Sequence, residues 1–161
     1  MVYRIKEAHW CWCNYYAITD AAGSPLFRVD GAAFSWGDKL SFQDAVGQEL
    51  AHISQVLLAW LPRYRITRDG QTVAEVCRKL AWFHPKFTLN VPGSNDYTID
   101  GSFWQHDFTF SRPGRVVARV NKAYWSWTDS YGVTIADGED VVLILCTCIV
   151  IDQVLFDRRK D

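Results

Sequence analysis

The chain has 161 residues, enough for one domain that buries about two thirds of its unfolded surface without disulfides or metals. Aromatics make up 15% of it, with eight Trp and a single Met, a composition that favours strands over a helical bundle. With 17 basic and 18 acidic residues the net charge is −1, which excludes the global field that draws a protein to nucleic acid; any anion-binding surface is local.

In chain order, the first residues, MVYRIKEAHW, lack the apolar core and small-residue cleavage site of a secretory signal. The five cysteines come as two C-x-C pairs plus Cys77, which is no disulfide framework, so the expected compartment is a reducing cytoplasm. HWCWCNYY at 9–16 then sets His9, Cys11 and Cys13 on one face of a strand, as three metal ligands would stand.

A repeat that starts in this stretch supports a plainer reading. WCWCNYYAI (10–18), FSWGDKLSF (34–42) and WSWTDSYGV (125–133) all run aromatic, small, Trp, two turn-type residues, one variable residue, then bulky-x-bulky. LAWLPRYRI (58–66), AWFHPKFTL (81–89) and SFWQHDFTF (102–110) fit the frame more loosely. Starts at 10, 34, 58, 81, 102 and 125 fill the chain with six units, whose third position is Trp12, Trp36, Trp60, Phe83, Trp104 and Trp127. Cys11 takes the slot of Ser35 and Ser126, and Cys13 that of Gly37 and Thr128. Both therefore read as packing or turn residues, and no metal is expected.

Polar turns follow the bulky segments, in ITDAAGSPLFRV, ITRDGQTVAEV and FSRPGRVVARV, and are hairpin signals. Two strands per unit predict about twelve strands in a barrel or sandwich, over residues 1–136. Asn14, Asp38 and Asp129 read as turn residues that bond their own backbone; a polar rim shared at one barrel end is the functional alternative.

The closing EDVVLILCTCIVIDQVLF has no period-2 alternation and exceeds a typical strand, although its β-branched content suits a buried one. Its longest apolar run, VVLILCTCIVI (141–151) between Asp140 and Asp152, is too short for a membrane span, which needs ~20 residues. Geometry favours a helix, over about 138–156: twelve strands leave a lumen that needs a plug, and a helix apolar on nearly every side supplies one. Asp137 or Asp140 is the expected cap, and Arg158, Arg159 and Lys160 suit the far end of the dipole. Cys146 and Cys148 are then about 200° apart around the axis and read as packing residues.

FSWGDKL from Phe34, QVLLAWLPRYRI, IDG with FWQHDF, WSWTDSYGV, IADGED and IDQVLFDRR together resemble the LURP-one-related (YxjI-like) family, in order and over essentially the whole chain. The family is similar in fold to the tubby C-terminal domain and the phospholipid scramblases. The resemblance implies a single domain over 1–161, mainly β, a twelve-stranded antiparallel barrel around a central C-terminal helix. Tubby-like domains bind phosphoinositide head groups and scramblases act at bilayers. Neither the tubby basic residues nor the scramblase calcium segment and cysteine cluster has a counterpart here.

For function, the basic residues carry the first expectation. Arg63, Arg65 and Arg68 fall around one strand and turn, Arg78, Lys79 and Lys86 around the next hairpin, and Arg112, Arg115, Arg119 and Lys122 along a third. The first two groups are the candidate site of a non-enzymatic module that meets anionic phospholipid, or a membrane-associated partner, at the periphery of a membrane. The alternative for all of them is solvated outer faces balanced by nearby Asp and Glu. A protein-interaction scaffold using exposed aromatics is the second functional reading. A third is an enzyme with a polar pocket at a barrel end, built from His84, His106 and Asp107 or Asp100. No G-x-S-x-G, Walker loop or dinucleotide fingerprint is present, and no cofactor is expected.

Overall fold

The structure, a computed structural model, describes residues 1–10, 13–31, 37, 39–93, 96–122 and 130–156, with the side chains of 8–10, 13 and 14 left aside. The strands are β1 (Val2–Trp10), β2 (Cys13–Asp20), β3 (Pro25–Gly31), β4 (Lys39–Asp44), β5 (Glu49–Gln55) and β6 (Arg63–Arg68). They continue as β7 (Gln71–Lys79), β8 (Lys86–Asn90), β9 (Tyr97–Ser102), β10 (Asp107–Arg112), β11 (Arg115–Asn121) and β12 (Ser130–Ile135). A 3-10 turn covers Phe103–Gln105, and the helix α1 spans Val141–Phe156. Each strand pairs antiparallel with its neighbours in sequence, and β1 closes the ring against β12.

Alternation builds the barrel wall. Each strand turns a pair of i, i+2 residues inward, such as Tyr3 and Ile5, Leu40 and Phe42, Tyr64 and Ile66, or Phe108 and Phe110, all of them buried. These pairs surround α1, on which every residue from Leu143 to Gln153 is buried. The helix is the expected plug, without a polar stripe because no side of it reaches water.

The six sequence units map onto the strands with one offset. Units one to five supply β2–β3, β4–β5, β6–β7, β8–β9 and β10–β11, while the sixth supplies β12 and then α1. The twelfth strand is β1, which lies ahead of the first unit apart from its last residue, Trp10, where that unit opens. Register pairs β1 with both β2 and β12, so this extra strand is what closes the cylinder.

Curvature repeats with the units. The hairpins β2–β3, β4–β5, β6–β7 and β10–β11 each carry a register shift just after an inward residue, at Ile18, Phe42, Ile66 and Phe110. One extra residue per hairpin bends and twists the strand, which a closed sheet requires. Turn chemistry repeats too. The carboxylate of Asp20 accepts the backbone N–H groups of Ala22 and Ser24, and that of Asp44 accepts those of Val46 and Gln48. At Gly101, with φ +140°, a Cβ would stand 2.5 Å from the Cα of Phe108, so only glycine lets β9 lie this close to β10.

The plug arrangement makes a direct prediction. Leu145→Ala, at a fully buried position, should lower stability by ~2–5 kcal/mol in urea unfolding. Leu145→Lys, which buries an unpaired ammonium inside the barrel, should abolish the folded circular dichroism spectrum. A Lys variant that folded normally would contradict the buried helix.

Candidate functional site

The two ends of the barrel differ in the connections they carry. At one end lie the short turns β2–β3, β4–β5, β6–β7 and β10–β11 and the start of α1; at the other lie the longer connections β5–β6 (56–62), β7–β8 (80–85) and the 3-10 turn. The last residue of α1, Phe156, reaches this second end, where its ring packs edge-on to Trp104 at 5.5 Å.

The predicted basic residues separate between these ends. Arg68 closes β6 at the turn end, where its guanidinium donates two bonds to Asp140, at 2.8 and 2.7 Å. Asp140 is also the helix cap, accepting the N–H of Leu143 at 3.1 Å. Arg68 therefore anchors the helix N-terminus. Arg112 and Arg115 do related work at the same end, both donating to the buried carboxylate of Glu139. Arg65 sits mid-strand on the outer face, 3.2 Å from Glu75, and Arg63 lies 3.9 Å from the same carboxylate.

Arg78, Lys79 and Lys86 stand apart from these pairs. They flank the β7–β8 connection at the second end, and Lys79 lies directly opposite Lys86 in the ladder. Among the described residues no carboxylate pairs with any of the three. Two like charges facing across a strand pair repel, so the arrangement favours an anion from outside. Arg63 joins them at the start of β6, whereas five residues of extended chain, ~16 Å, take Arg68 to the opposite end. A cavity of about 340 Å³ opens here, lined by residues 56–63 and by Cys77, Arg78 and Lys79.

The same end is apolar at its tips. Trp60 is 94% exposed, Trp82 94% and Phe83 91%, with Leu57, Leu58 and Leu80 exposed beside them. The repeat marks Trp60, Phe83 and Trp104 as one structural position, and none of the three joins the core. The equivalent Trp12, Trp36 and Trp127, with Cys11, Ser35, Asp38, Ser126, Thr128, Asp129, Arg158, Arg159 and Lys160, lie outside the described residues, as do the side chains of His9, Cys13 and Asn14.

None of the histidines whose side chains are described lines the cavity. His84 is exposed in the β7–β8 connection and Asp107 is exposed at the start of β10. His106 is nearly buried beneath Tyr131 and Phe156, with its Nε2 2.9 Å from the carboxylate of Asp152. Asp152 also accepts the Tyr131 hydroxyl at 2.6 Å. Burial, and then the charge of Asp152, push the Tyr131 hydroxyl well above its usual range, so it stays a donor. This network holds the C-terminal half of α1 to the wall. Its members are far apart in the chain, Asp152 lying 46 residues from His106 and 21 from Tyr131, so no local pattern announces it. Burial likewise raises the thiols of Cys146 and Cys148, which stay protonated and unreactive at neutral pH. Among the described residues no three His, Cys, Asp or Glu side chains cluster as metal ligands would, and no helix is long and apolar enough to cross a membrane.

A closed antiparallel barrel threaded by its own C-terminal helix, with a basic and aromatic rim at one end, is the class of protein that these features define. The LURP-one-related family model matches residues 1–152, and the chain belongs to that family. It is 37% identical to the uncharacterized protein YxjI of Bacillus subtilis (strain 168) over 157 residues, covering 98% of this chain and 95% of that protein. Its fold is similar to the X-ray structure of a protein from Arabidopsis thaliana, with a TM-score of 0.71 at 18% identity, over 95% of this chain and 91% of the other.

The role of Arg68 can be checked through acid stability. Burial raises the Asp140 carboxyl, but the Arg68 bonds and the Leu143 N–H outweigh it and hold the group below its ordinary value. Stability from this group is thus complete above the ordinary carboxylate value of about 4 and is lost as pH falls through the lower folded value. Asp140→Asn keeps a capping side chain, so it should cost at most about 1 kcal/mol at pH 7, from the part-exposed ion pair with Arg68. The Asn variant should also lose less stability than wild type between pH 4 and pH 2 in thermal melts, and parallel acid profiles would contradict this role.

Proposed function

We propose that the protein is a non-enzymatic binding module that recognises anionic phospholipid at a membrane surface through the basic rim around the β5–β6 and β7–β8 connections. The observation that carries this reading is the set Arg78, Lys79 and Lys86, unpaired among the described residues and gathered with Arg63 beside exposed apolar loops. Anionic head groups attract basic residues at ~1 kcal/mol each near the surface, so four of them support a weak, salt-sensitive association. The cavity lined by Arg63, Arg78 and Lys79 offers space for part of one head group. Arg65 and Arg68 are assigned structural pairing instead, with Glu75 and Asp140.

A protein-interaction scaffold is the second reading, favoured by the exposure of Trp60, Trp82 and Phe83, since aromatics anchor protein interfaces. A photo-crosslinker placed at Phe83 would separate the two in cells: lipid adducts support the first reading, and a discrete protein adduct the second.

In vesicle co-sedimentation, the protein should pellet with phosphatidylglycerol-containing vesicles and not with phosphatidylcholine alone. Lys79→Glu with Lys86→Glu should weaken that binding at least tenfold without changing the melting temperature, because both side chains are exposed. Equal absence from both pellets would sink the lipid reading.

A further inference from the structure

The β5–β6 and β7–β8 connections, VLLAWLP and LAWFHP with its preceding lysine, are the most apolar exposed segments among the described residues. Six large apolar side chains exposed on two loops joined at their feet are unusual on a monomer that stays in water. Nothing in the barrel lumen is open to receive these side chains, because α1 fills it.

The loops are also braced in place. The N–H of Val56 bonds the carbonyl of Arg63 at 2.8 Å, which extends the β5–β6 ladder past the last strand residue. The N–H of Arg78 bonds the carbonyl of Pro62 at 2.9 Å and ties the foot of one loop to the strand that leads into the other. Leu58 has φ +64°, a left-handed conformation that branched side chains rarely hold, and its side chain is fully exposed. A loop held this way needs little ordering on binding.

We infer that these two loops are a paired interfacial anchor, which rests on the lipid reading above and specifies how the barrel meets the bilayer. The barrel stands end-on. Leu57, Leu58, Trp60, Leu80, Trp82 and Phe83 sink to the level where head groups meet acyl chains, while Arg63, Arg78, Lys79 and Lys86 remain at the phosphates.

Three observations favour a bilayer over a protein groove or peptide. Trp side chains prefer the membrane interface, and each loop presents one at its tip. Leu80, Trp82 and Phe83 lie outside the cavity and are exposed at the barrel end, whereas peptide recognition uses a groove or a free strand edge. A closed barrel has no free edge. The basic residues form a collar at the base of the apolar loops, as anchoring at an anionic surface requires.

The test uses the full chain and phosphatidylglycerol vesicles whose acyl chains are brominated near the glycerol. Bound wild type should show quenched Trp emission, and Trp60→Phe with Trp82→Phe should pellet equally but with a smaller quenched fraction. Leu58→Asp with Trp82→Asp should keep the wild-type melting temperature and bind at least tenfold more weakly at a salt concentration that screens the basic collar. Pelleting without quenching, an unchanged quenched fraction, or undiminished binding of the Asp variant would overturn the anchor and leave the electrostatic reading standing. Failure of wild type to pellet at all would remove both, and a wild type that dimerises through Trp82 in place of pelleting would assign the loops to a second copy of this chain.

Discussion

Twelve strands closed into a ring enclose more space than their own side chains can fill, and the need to fill that lumen organises the rest of the molecule. α1 does so with a surface that is apolar on every side. A helix buried so fully has to satisfy its polar groups without water. Thr147 returns its hydroxyl to the carbonyl of Leu143, and the remaining polar contacts are made near the helix ends, where the wall supplies partners. Arg68 meets Asp140 at the N-terminus, and Tyr131 with His106 meets Asp152 toward the C-terminus. Gln153 donates to the Tyr16 hydroxyl next to it.

That arrangement divides the labour between the two ends. Where the helix enters, Arg68, Arg112 and Arg115 are committed to Asp140 and Glu139, and the hairpins are tight turns set by Asp and Gly. Their charge serves the fold. At the opposite end the helix has already been anchored by Asp152, and the β5–β6 and β7–β8 connections are longer. Their tips carry exposed aromatics and aliphatics, and their bases carry lysine and arginine free of carboxylate partners among the described residues. A surface that contributes nothing to core packing and is unfavourable in water is where selection for binding leaves its trace.

Much of the barrel was legible because a strand side chain faces alternate sides with a period of two, and the bulky-x-bulky segments report the inward pairs directly. Leu40 and Phe42, Tyr64 and Ile66, and Phe108 and Phe110 are such pairs. The offset of the repeat was not legible. β1 has the alternation of a strand and lies ahead of the first unit apart from Trp10, so nothing in it announces that the sixth unit spends its second half on a helix. The candidate site was half legible. Proximity in sequence grouped Arg63, Arg65 and Arg68, yet their strand runs nearly the length of the barrel and delivers the first and last to opposite ends.

What the sequence alone determined is local: strand alternation, turn chemistry, the hairpin period, and the absence of any polar stripe on the closing segment. Alternation, turn chemistry and the missing stripe depend on residues within a few positions of one another, and the period is a comparison of such local patterns along the chain. Tertiary structure decided which charges are consumed and which aromatics are exposed. Trp60 and Trp82 look in sequence like any core tryptophan, and only the closing of the barrel around α1, which leaves them no interior to enter, puts them on the surface. The three arginines of RYRITR are alike as letters; strand register sets Arg65 opposite Glu75, the docking of α1 gives Arg68 to Asp140, and Arg63 stands beside Arg78 and Lys79 with Glu75 at 3.9 Å.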